Sequence, residues 1–76
     1  MNKNRRARLS EAEAFLRKAQ EIVSGALDEE NDCMNNLPDG LGDSEKYERM
    51  EAASDNLDSA LYSIGEALDC IDRARE

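Results

Sequence analysis

The sequence predicts an all-α fold: an antiparallel two-helix hairpin with an alanine seam, dimerising into a four-helix bundle. Three observations carry this. Apolar residues recur at steps of three and four along two long stretches, and the single proline stands between them. Alanines also repeat every seven residues on both sides of that proline, at Ala12, Ala19 and Ala26 and again at Ala53, Ala60 and Ala67.

Helix one is expected over about 4–34. Leu9, Ala12, Phe15/Leu16, Ala19, Ile22/Val23, Ala26/Leu27 and Met34 keep one stripe through it. Ser10 to Glu13 also fits a capping box, so a start at Ser10 competes with one near Asn4. The segment 35–43 reads as the bend. Pro38 lacks a backbone donor and pushes Leu37 out of helical geometry, and Gly40 accepts the positive φ that a tight turn needs. Leu37 and Leu41 are expected to fold inward and close that end.

Helix two is expected over 44–75. Tyr47, Met50, Ser54, Leu57, Leu61, Ile64, Leu68 and Ile71 form a heptad seam broken only by Ser54. Ser44 suits the N-cap, Glu45 and Glu48 the first turn, and Arg73 and Arg75 the last, all in the sense the helix dipole favours. One domain of 76 residues results.

Facing alanines suggest a register in which Ala26 lies opposite Ala53, Ala19 opposite Ala60 and Ala12 opposite Ala67. Small residues there let the helix axes come close. Larger residues (Leu16, Val23 and Leu27; Leu57, Leu61, Ile64 and Leu68) then form a face too wide for one partner helix, and pairing two hairpins hides it. A homodimer is the expected assembly, with a different protein on that face as the rival. In this register Cys33 and Cys70 lie at opposite ends, roughly 36 Å apart at ~1.5 Å per residue, far beyond disulfide reach. They are read as free thiols that pack as small hydrophobes.

The net charge is -8, so the surface repels phosphate backbones and anionic membranes. Direct nucleic-acid or membrane binding is not expected, and a basic protein is the natural complement. No apolar run follows the basic start as a signal peptide requires, and none is long enough to span a bilayer, which points to a reduced, cytoplasmic protein.

Charge clusters between Asp28 and Glu51, where nine acids face two bases. Asp28, Glu29, Asp32, Asp39, Asp43, Glu45 and Glu48 are the candidate partner-binding residues. A solvated end that serves only solubility is the alternative. Asp28, Glu30, Asp32 and Asp39 imitate calcium-loop spacing, but the required central glycine is Cys33, so no metal site is expected. Lys3, Arg5, Arg6 and Arg8 form a basic arm that either pairs with Asp69, Asp72 and Glu76 or serves as a contact arm. Gly25 and Gly65 flank the stripe, marking close helix approach or a tolerated defect. With no histidine and little concave volume, neither catalysis nor a cofactor is expected.

The start "MNKNRRARL", the central "NLPDGLGDSEKYERM" and the repeat in "AASDNLDSALYSIGEALDCI" together resemble a family of short, acidic, uncharacterised proteins of bacterial genomes and their phages. The resemblance spans nearly the whole chain. It implies two long helices and a phage or mobile-element setting, and it transfers no catalytic or binding residues. The expectation is a non-enzymatic protein whose acidic surface occupies a basic groove on a host protein, inhibition of a host defence being one instance. The alternative is a purely structural self-associating or bridging bundle.

Overall fold

The computed structural model describes residues 1–37 and 45–76 and consists of two helices, α1 (Lys3–Asn35) and α2 (Glu45–Ala74), folded back on each other as an antiparallel hairpin. The bend residues 38–44, including Pro38, Gly40, Leu41 and the expected N-cap Ser44, lie outside the described residues.

Helix α1 begins two turns before Ser10. Asn2 is extended (φ −77°, ψ 164°), and its side-chain oxygen accepts from the Arg5 backbone N–H at 2.8 Å. That bond satisfies one of the orphan donors of the first turn, and the Ser10 capping box is left unused inside the helix. At the other end the Asn36 N–H still reaches the Asp32 carbonyl at 3.1 Å, the Leu37 N–H reaches the Met34 carbonyl at 3.4 Å, and Leu37 is half-buried. Helix α1 has no acid in its first turn and no base in its last, so its terminal charges oppose its dipole. Helix α2 is the reverse, with Glu45 and Glu48 first and Arg73 last.

Two polar contacts fix how the helices lie against each other. Near the bend the Ser54 hydroxyl donates to Asn31 Oδ1 at 2.8 Å. At the open end Arg75 crosses to α1, donating to Ser10 Oγ at 2.9 Å and to Glu13 Oε2, while also reaching Asp72 Oδ1 at 3.1 Å. These contacts set Leu16 level with Leu68, Val23 with Leu61, Leu27 with Leu57 and Met34 with Met50. All eight side chains are half-buried or buried. The pattern is an antiparallel heptad seam.

The alanine register expected from sequence is therefore corrected. Ala26 comes level with Ala60 rather than Ala53, and Ala19 with Ala67 rather than Ala60, a slip of one heptad. Ala12, Ala19, Ala60 and Ala67 are half-buried along one flank of the seam, while Ala26 and Ala53 are exposed. The physical reason is that alanine rows can meet at any heptad offset with nearly equal packing. Polar groups in a seam select one offset, because each wrong one leaves them unpaired.

The seam is also thin. Leu68, 8% exposed, is the one buried apolar residue among those described. The molecule is a rod of 59 × 14 × 13 Å. A Cβ placed on Gly25 or Gly65 would meet nothing within 4 Å, so neither glycine permits a close helix approach within the hairpin.

Candidate interaction surfaces

Helix geometry delivers side chains to four surfaces: the internal seam, an acidic end, a basic end and one outer stripe of α1. The leucine-rich set expected to mediate self-association (Leu16, Val23, Leu27, Leu57, Leu61, Ile64 and Leu68) makes up the internal seam instead. With the alanines displaced to the flank, these larger residues are what each helix offers the other. They are spent on holding the hairpin together.

Five of the seven acids named for the acidic end are among the described residues. Asp28, Glu29 and Asp32 are exposed on the last turns of α1, and Glu45 and Glu48 are exposed on the first turn of α2. Among the described residues none of these five carboxylates enters an ion pair. Asp39 and Asp43 lie outside the described residues. Glu30, between the exposed acids Glu29 and Asp32, is half-buried.

The basic arm does not pair with α2. Lys3, Arg5, Arg6 and Arg8 are all exposed and, among the described residues, form no ion pair. The register explains this. Arg8 is level with the last residue, Glu76, and the three bases before it project past the end of α2. Asp72, one of the acids expected to receive the arm, is held by Arg75.

Sequence reasoning missed the Arg75 clamp. Glu13 accepts from both Arg75 and Arg17, the latter at 3.3 Å. Glu13 and Arg75 are only 20% and 24% exposed, so this pair is better shielded from solvent than Lys18–Glu21, where both side chains are at least 70% exposed. The signal was present: Glu13 and Arg75 both fall on the three-four spacing of the seam, where a charge needs a partner.

The other omission is an outer stripe. Phe15 is 69% exposed and Ile22 is 62% exposed. They stand seven residues apart on α1, two turns along one face, immediately beside Leu16 and Val23. In each adjacent apolar pair only one member can face a single partner helix, so the doublets Phe15-Leu16 and Ile22-Val23 already implied a second apolar face. Tyr62, 70% exposed, stands apart from them, in an open groove with Arg17, Gln20, Gly65 and Glu66.

Cys33 and Cys70 are free and both exposed, which corrects their expected burial as small core residues. Among the described residues, no group of three or more cysteine or carboxylate side chains is placed to hold a metal ion. Among the same residues, no helix is long and apolar enough to cross a membrane. Compared with protein-family models, with curated proteins and with solved structures, the chain matches none.

Proposed function

We propose that this chain is a non-enzymatic interaction protein of phage or mobile-element type, whose acidic end docks on a basic protein. The observation that supports this most is the row of exposed carboxylates across the last turns of α1 and the first of α2, which enter no ion pair among the described residues. On α1 these acids stand where the helix dipole disfavours them, so local stability does not account for their position. A concentrated negative end steers a basic partner and raises its association rate. A groove built for nucleic acid has the matching charge, and filling it would block its ordinary ligand, inhibition of a host-defence factor being one instance.

The test compares wild type with an Asp28→Asn, Asp32→Asn, Glu48→Gln variant, each immobilised and exposed to host lysate at low and high salt. The expected result is capture of nucleic-acid-binding proteins by wild type at low salt, lost at high salt and in the variant at unchanged helicity. Undiminished capture by the variant refutes the proposal and leaves the charge a solubility device.

A second reading, the self-associating bundle, is favoured by the solvent-exposed area. The chain exposes 5759 Å². A compact monomer of its mass, 8.5 kDa, exposes only about 4,650 Å². The excess, about 1,100 Å², exceeds the roughly 800 Å² each partner contributes to a stable dimer.

A further inference from the structure

We infer that Arg8, Phe15, Ile22 and Glu29 form a self-complementary stripe on α1, through which a second copy of the chain packs with its α1 antiparallel. This rests on the self-association reading and gives it a face and a direction.

The four residues are spaced by seven and drift by only about 20° per step on a helix of 3.6 residues per turn, so they share one arc of α1. All four are exposed. The two central members are the large apolar side chains that α1 leaves exposed, and no described residue of the hairpin covers them. A single exposed apolar residue needs no explanation, but two aligned on one face of a thin rod do.

A two-fold dimer demands that residue i meet residue j while j meets i. The stripe meets that demand when reversed on itself. Phe15 of one chain then lies against Ile22 of the other, and the converse contact follows by symmetry. At the ends, Arg8 of each chain meets Glu29 of the other. Neither Arg8 nor Glu29 has an ion-pair partner among the described residues of its own chain. Beside the stripe, toward the seam, runs the row Ala12, Ala19 and Ala26, which the same reversal brings opposite itself to within one residue. Small side chains there let the two α1 helices approach closely.

The charge distribution of α1 fits only one direction. Its N-terminal end carries Lys3, Arg5, Arg6 and Arg8, and its C-terminal end carries Asp28, Glu29, Glu30 and Asp32. Parallel packing sets like charges together at both ends, and antiparallel packing sets opposite charges together at both. A different protein on this face would have no reason to match the stripe's own reversal.

The test is sedimentation equilibrium of the full chain from about 1 to 100 μM at fixed salt, with helicity checked by circular dichroism. Wild type is expected to be a dimer. Phe15→Glu and Ile22→Glu are expected to be folded monomers, since both positions are exposed in the hairpin. Arg8→Glu and Glu29→Arg should each weaken the dimer by about tenfold, the scale of one lost charge contact. The double swap Arg8→Glu/Glu29→Arg should recover most of that loss, because the pair is restored with its signs exchanged. A dimeric wild type with dimeric Phe15→Glu and Ile22→Glu overturns the stripe while leaving self-association standing. A monomeric wild type overturns both. Failure of the double swap to recover affinity overturns the antiparallel direction.

Discussion

The register of the hairpin can be tested by engineered disulfides. In a chain with Cys33 and Cys70 replaced by serine, Asn31→Cys with Ser54→Cys places two thiols where a 2.8 Å hydrogen bond now joins the side chains. Ala26→Cys with Ala53→Cys places them where the alanine arithmetic would have them meet. In the observed register Ala53 lies about seven residues along α2 from the position level with Ala26, which is an axial offset of about 10 Å at ~1.5 Å per residue. Added to an interaxial distance of about 8–10 Å, this leaves the second pair well beyond the ~7 Å between Cα atoms that a disulfide tolerates.

Air oxidation at sub-micromolar concentration should therefore close the 31–54 bridge and leave 26–53 reduced, read by thiol titration and non-reducing electrophoresis. The closed loop spans about 24 residues, for which the chain-entropy model gives about 3.4 kcal/mol of stabilisation less any strain. In thermal unfolding, 31–54 should melt well above its reduced form. Closure of 26–53 with 31–54 left open would mean that the alanine rows, and not the polar contacts, set the register.

Two further substitutions examine how the seam is held. Leu68→Ala removes the one buried apolar side chain among the described residues, and it should destabilise by about 2–3 kcal/mol, the lower part of the usual range because a site between two helices is open to relax; denaturant titration measures it, and a change below about 0.5 kcal/mol would place the core elsewhere. Gly25→Ala and Gly65→Ala should each stabilise by about 0.5–1 kcal/mol, since the added methyl meets open space and the unfolded chain loses freedom. A loss of stability at either site would show a contact that the hairpin alone does not make.

The helices were legible in the sequence because each signal was local. Stripe periodicity, the proline and the end charges of α2 place both helices to within a residue or two of α1 (Lys3–Asn35) and α2 (Glu45–Ala74). The exposure of Asp28, Glu29, Asp32, Glu45 and Glu48 was legible for the same reason, since each falls off the apolar stripe of its helix. The register was not, because it depends on which of several heptad offsets satisfies Asn31, Ser54, Glu13 and Arg75 together. Each of those residues looks unexceptional alone, and their pairing joins positions more than twenty or sixty residues apart. Once the offset moved, the basic arm lost the acids of α2 as partners. In the sequence the doublets Phe15-Leu16 and Ile22-Val23 merge into one wide stripe, although a single partner helix can cover only one residue of each.

The charge inversion of α1 connects the two proposed surfaces and also separates them. Each terminal charge set against a dipole costs about 0.3–1 kcal/mol at an exposed helix end, and α1 bears such charges at both ends while α2 bears favourable ones. A neighbouring α1 running the other way offsets that cost at both ends at once, and a basic partner offsets it only at the acidic end. Glu29 belongs to both surfaces, whereas Asp28 and Asp32 lie outside the arc of Arg8, Phe15 and Ile22, and Glu48 is on α2. Neutralising Asp28, Asp32 and Glu48 therefore strips charge from the docking end and leaves the stripe whole. Salt divides the two surfaces in the same way. Steering by exposed carboxylates fades as the Debye length shrinks, while burial of Phe15 against Ile22 does not. Partner capture should be lost at a salt concentration where the dimer, weakened only at its Arg8–Glu29 ends, still forms.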